Sequence, residues 1–161
     1  MAKLVKLSSL GSELNKALAK HKEKTNADIN KAIRVATISV WGNILRLTPV
    51  DTGRARSNWF VGMSVGNMTS DRTNDKGAGY IAKELPKNLL NKKVFLYNNL
   101  PYIEKLEFGG YGSNDTEKTN TQGFSKLAPK GMVRVSLLNW GSTLRKAFEA
   151  IKWLIKKYMK H

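Results

Sequence analysis

Asp51-Thr52-Gly53 sets a carboxylate beside a hydroxyl and a glycine, the tripeptide that paired aspartates use when two copies of a chain share one proton to cleave peptides. Glu104 and Glu107 stand three apart in a segment of helical pattern, hence on one face, as a pair of acids would. His21 and His161 are the only histidines, so a Ser–His triad or a histidine-bound metal would have to use them. Trp41, Trp59, Trp140 and Trp153, in a strongly basic chain, are the material of a base-stacking platform.

The surroundings argue against catalysis at each place. A shared proton needs two carboxylates in a secluded site, on a tripeptide that leaves an apolar strand and is followed by a small residue. Here Pro49-Val50 precede Asp51 directly after a helical pattern, and Arg54 and Arg56 follow, so guanidinium charge nearby works against proton sharing. The expected role is a corner. Asp51 is expected to accept hydrogen bonds from the amides just after it, and Gly53 supplies a positive-φ position if the turn requires one. Glu104 and Glu107 read as a solvated helix face or a cap. His21 lies in a lysine-rich helix and His161 at the chain terminus, where a frayed end is expected. The ligand clusters of a metal site are missing, and neither "GSELNK" nor "GAGYIAK" has phosphate-loop spacing. We therefore expect no enzyme, no cofactor and no metal. Three of the tryptophans fall on or beside apolar faces, where core packing is the default. Trp153 is the one expected to face outward, to cover a neighbouring subunit or a base.

The 161 residues suit one domain, with 41% hydrophobic and 25% charged residues and no cysteine. Without cysteine there is no disulfide framework, zinc ribbon or thiol nucleophile. No stretch approaches the roughly 18 apolar residues of a membrane span, so no membrane partner is expected. The net charge is +16, and it is unevenly spread. Residues 1–47 hold nine basic and three acidic side chains, residues 130–161 eight and one, and residues 48–129 eleven and eight. The excess at both ends of the chain attracts polyanions or acidic protein surfaces.

Hydrophobic spacing supplies the elements. Leu10, Leu14 and Leu18 at four-residue steps predict a short amphipathic helix within an N-terminal extension, residues 1–25. Asn26 can cap a second helix with the stripe Ile29, Ile33, Ala36, Val40 and Ile44, ended by Pro49. Trp59, Val61, Met63 and Val65 alternate as in a strand, "KVFLYNN" (93–99) is a second, and "GMVRVSLL", with Val133, Val135 and Leu137 on one face, a third. "LPYIEKLEFGG" reads as a proline-started turn of helix closed by glycines. Trp140, Leu144, Phe148, Ile151, Ile155 and Tyr158 stripe a final helix, with Lys152, Lys156, Lys157 and Lys160 mostly off the stripe. Residues 66–92 and 111–130 read as long polar loops, the first with room for one short turn around "IAKEL". The sum is a single α+β domain over residues 1–161. A small antiparallel sheet of three or more strands packs against a long N-terminal helix and a C-terminal helix.

Three of these segments, in this order, resemble a known family. "LTPVDTGRARSNW", "YNNLPYIEKLEFGG" and "APKGMVRVSLLNW" together look like the head–tail joining proteins of tailed bacteriophages, also called tail-completion or neck proteins and often minor tail components. The resemblance spans roughly residues 27–158. Pro49, Asp51, Thr52, Gly53 and Arg54 match the family's proline–x–aspartate–threonine–glycine–arginine pattern. Tyr102, Glu104, Glu107 and Gly109 fall in its tyrosine–acid–glycine segment, and Pro129 and Met132 at its last strand entry. The long segment at 66–92 and the lysine density of the last helix depart from it. The resemblance implies a non-enzymatic virion protein, assembled in the host bacterial cytoplasm. It would form a ring, six-fold by the family's habit, between a portal or adaptor and the tail tube or tail terminator. Expected interface residues are Tyr102, Glu104, Glu107, Gly109, Pro129 and Trp153, with the 66–92 or 111–128 segment on one contact face. The competing expectation is a small basic protein that binds nucleic acid without sequence preference.

Overall fold

The computed structural model describes residues 7–71, 77–111 and 117–158, and it opens on one helix of 41 residues, α1 (Leu7–Leu47). The expected break at Asn26 does not occur. A capping residue is a weak stop once a helix is propagating, because each added residue gains a hydrogen bond for two fixed dihedrals. Thr25 also turns its hydroxyl back onto the His21 carbonyl (2.9 Å) and so stays inside the helix. At 1.5 Å per residue α1 is roughly 60 Å long. A compact chain of this length has a radius of gyration of roughly 15 Å, so the rod overshoots the body.

Its two halves differ. Residues 12–27 are exposed throughout, with Leu14 at 61% and Leu18 at 59% of full exposure. From Asp28 onward the helix is clad. Ala32 and Ala36, both at 0%, form a seam with Ala147 and Ile151 of the last helix, α6 (Trp140–Tyr158), bordered by Trp140, Leu144 and Phe148. The small alanines let the two axes approach closely. Asn43 Nδ2 bonds Ser136 Oγ (3.2 Å) just ahead of α6, while Ile151 lies in the seam with Ala32, so α6 runs back along α1. The Leu10, Ile155 and Tyr158 side chains of the expected stripes and the Lys157 side chain lie outside what is described, as do residues Lys160, His161, 72–76 and 112–116.

After α1 come α2 (Arg54–Ser57), β1 (Phe60–Gly62), α3 (Gly77–Glu84), β2 (Phe95–Tyr97), α4 (Ile103–Phe108) and α5 (Val133–Leu137). Among the described residues the sheet has two antiparallel strands, in the register Phe60↔Tyr97, Val61↔Leu96 and Gly62↔Phe95. It is smaller than the expected three or more strands. The first strand stops at Gly62, where a Cβ would sit 2.8 Å from the Ser64 carbonyl oxygen; Met63 and Val65, expected on its apolar face, are exposed.

The expected third strand is helical. Met132 and Ser136 are buried four residues apart, while Leu137 is exposed, a helical period rather than an alternation. The supposed loop at 66–92 is also structured in part. Ile81, Leu85 and Leu89, at four-residue steps, all enter the core beside Ile44, Leu45, Trp59, Leu100 and Met132. Two α1 side chains hold that segment. Arg34 donates to the carbonyls of Ala82 (3.3 Å), Leu85 (3.1 Å) and Pro86. Asn30 donates to Lys87 O (2.8 Å) and accepts from Leu89 N (2.7 Å).

Candidate assembly interface

The corner at 49–54 is built on the end of α1. Thr48, buried at the last turn, donates its hydroxyl to Ile44 O (2.8 Å) and accepts the indole N–H of Trp59 (2.9 Å). Arg56 closes the same helix end, its Nη2 donating to Thr48 O at 3.0 Å and Arg46 O at 3.3 Å. Gly53 is buried with φ 83°, a left-handed position that glycine occupies without strain, and it opens α2. The expected acceptor is replaced by its neighbour: Thr52 Oγ1 faces the Arg54 amide at a long 3.4 Å, while Asp51 is exposed. The Arg54 guanidinium pairs with Asp71 (2.9 Å), not with Asp51.

Buried Asn58 ties this corner to the following segment. Its amide donates to Arg54 O (2.8 Å) and Ser70 O (2.7 Å), and its carbonyl accepts from Ser70 N (2.6 Å). Asn99 donates to Gly66 O (2.7 Å) and Met68 O (3.0 Å), and Asn98 to Ala55 O (2.9 Å). A single asparagine can satisfy three backbone groups at once, which is how this polar segment is fixed without a strand.

The corner lines a cleft of about 690 Å³ together with Tyr102, Leu106 and Tyr111. Residues 117–119 and 125–127 line it as well. They form a pinned turn: Thr119 bridges Ser125, Lys126 N donates to Lys118 O (3.0 Å), and Asn120 Oδ1 accepts the amides of Gln122 (3.0 Å) and Phe124 (2.9 Å). Burial first, and then the charge of Tyr102, pushes the Tyr111 phenol above its ordinary value, so at neutral pH it is an uncharged donor. Val50 and Leu127 stand exposed at the mouth, amid Asp51, Glu117, Lys118 and Lys126.

Glu104 and Glu107 part company. Glu104 is exposed, whereas Glu107 is 7% exposed and aims at the start of α5. Its Oε2 accepts the amides of Met132 (2.7 Å) and Val133 (2.8 Å), and its Oε1 accepts the amide (2.9 Å) and Nε (3.2 Å) of Arg134. Arg134 Nη2 returns a bond to Glu107 O (2.6 Å), and its guanidinium lies 4.7 Å from the centre of the Phe108 ring. This explains why "MVRVS" is a helix despite its β-branched alternation. A carboxylate satisfies the amides that a helix start leaves unpaired, and a strand would not present three of them to one group. Burial works against the charged carboxylate, but the three backbone bonds and Arg134 outweigh it and hold Glu107 below its ordinary pKa. Gly131 makes the approach feasible: its φ is +80°, and a Cβ there would lie 2.4 Å from Glu107 O.

Gly109 is buried with φ 81° and ends α4 by donating to Lys105 O (2.9 Å). Pro129 is exposed on the turn before α5, and Trp153 is 60% exposed on α6; neither lines the cleft. Val50, Leu106, Tyr111 and Leu127 do, and no spacing in the chain marks them as neighbours. Among the described residues no group of three or more His, Asp or Glu side chains could hold a metal, and no helix is long and apolar enough to cross a membrane. No family model, curated protein or solved structure matches the chain.

Proposed function

We propose that this chain is a non-enzymatic structural protein of a tailed double-stranded DNA bacteriophage, assembling as a ring at the junction of head and tail. One observation carries the reading. The three segments on which the family resemblance rests are distant in the chain, yet they are built into one unit: Tyr102 shares the cleft with the 49–54 corner, and Glu107 caps the helix that follows Pro129 and Met132. A shared motif order has a physical basis if its members make one joint. The cleft walls are apolar at their base and carry unlike charges at the rim, as suits a protein contact. The partners would be further copies of the chain, a portal or adaptor on one side and a tail tube or terminator on the other. The ring would number six copies, by the family's habit, within the virion.

The basic surface favours a second reading. Lys152, Trp153 and Lys156 are exposed together on α6, as a non-specific nucleic-acid surface would be. Negative-stain imaging of the purified protein, alone and with DNA at low and high salt, separates the two. Rings of fixed symmetry without DNA support joining, and coated DNA that is bare again at high salt supports nucleic-acid binding.

A further inference from the structure

We propose that copies of this chain associate head to tail, the leucine-bearing arm of one protomer seating its side chains in the corner cleft of the next. This deepens the ring reading and rests on it for ring closure, but the contact itself is testable alone.

The arm is an unfinished seam. Leu14 and Leu18 precede Ala32 and Ala36 by eighteen residues, which is five turns of α-helix, so they lie in line with the face that α6 covers. Leu18 stands about 21 Å beyond Ala32, whereas α6 is described as far as Tyr158, about 10 Å past Ile151. The described span of α6 therefore falls short of the leucines.

The cleft lies at the other end of the same rod. Leu14 is roughly 50 Å from Leu47 along α1, and the helix is continuous, so no arm can reach the cleft of its own molecule. A volume of about 690 Å³ is room for a few apolar side chains rather than a whole helix, and Val50 and Leu127 (65% exposed) offer apolar surface at the mouth.

Charge favours this place over others on so basic a chain. Residues 48–129 hold eleven basic and eight acidic side chains, the smallest excess in the molecule. At the rim, Asp51 and Glu117 can meet Lys22, which flanks the leucine face of the arm. A contact between two different faces repeats from copy to copy, and it closes into a ring when the rotation per copy divides a full turn.

The absence of cysteine makes the test clean. Leu18→Cys and Leu127→Cys proteins are purified separately, mixed and oxidised with copper phenanthroline, with Lys105→Cys, at an exposed position of α4, replacing Leu127→Cys in the control. The expected product is a reducible dimer joining one of each variant, identified by mass spectrometry, and a ladder from the double variant. Homodimers of Leu18→Cys that match or exceed the mixed product would mean that arms pair with arms, and would overturn the proposal. So would cross-linking no greater than in the control. Sedimentation of Leu14→Asp/Leu18→Asp, with its helicity and Tm checked first, should show loss of the wild-type assembly. If that variant still forms wild-type rings, the contact is wrong and the ring reading survives. If the cross-link forms but wild-type particles are open chains, the contact stands and ring closure falls.

Discussion

The two halves of α1 obey the same backbone rules and meet different surroundings. Residues 28–47 are held by α6, α3 and the core, and Ala32, Ala36, Val40, Ile44 and Leu45 vanish from solvent. Residues 12–27 keep the helix without any of this, since extending an existing helix requires no new nucleus, and they leave Leu14 and Leu18 in water. Hence the stability of the body and the capacity to associate are separated along one rod. Substitutions in the body should cost stability, and those in the arm should cost only association.

The comparison breaks most visibly at Glu107. Replacing it with Ala strips three amides and a guanidinium of their acceptor and should cost about 3 kcal/mol. That lowers Tm by roughly 6–12 °C for a chain of this size. Glu104→Ala, on the exposed side of the same helix, should stay within about 0.5 kcal/mol. Equal losses from the two would remove the cap from the account of α5.

Acid should expose the same joint. The folded state holds Glu107 below its ordinary pKa, so its contribution is complete above the unfolded value near ~4.3 and is lost as pH falls through the lower, folded value. The wild-type Tm should therefore drop more steeply below about pH 4.3 than that of Glu107→Gln, and parallel curves would contradict the charge-based cap.

In the packed half of α1, Ala36→Leu forces extra methylenes into the seam with α6 and should cost about 1–3 kcal/mol by denaturant unfolding. The smallest effect belongs to the arm. Leu14→Ala with Leu18→Ala should change unfolding by no more than about 0.5 kcal/mol, measured at a concentration where the protein is monomeric. A loss as large as that of Ala36→Leu would mean the arm folds back onto the body, and the contrast between the halves would dissolve.

Much of the helical structure was legible from spacing, because a helix face facing a body repeats every three to four residues whatever covers it. Ala36, Val40 and Ile44 announce the packed half of α1, and Trp140, Leu144, Phe148 and Ile151 announce α6. The same spacing at Ile81, Leu85 and Leu89 was present but lay in a polar stretch that read as a loop. Of the candidate site, the left-handed glycine of the corner was readable as an option, and the separation of Glu104 from Glu107 was not. Side-chain alternation in "MVRVS" points to a strand, and the group that overrules it sits more than twenty residues earlier.

Composition and period alone thus settle the charge, the lack of thiol chemistry and the faces of the long helices, since these depend on residue type and near neighbours. Whether α1 breaks at Asn26, whether 133–137 is strand or helix, and which residues share the cleft depend on contacts made across the chain. Tyr102 comes to line the same cleft as Val50, and a carboxylate at 107 reaches the amides of 132–134, only because the body has packed around them.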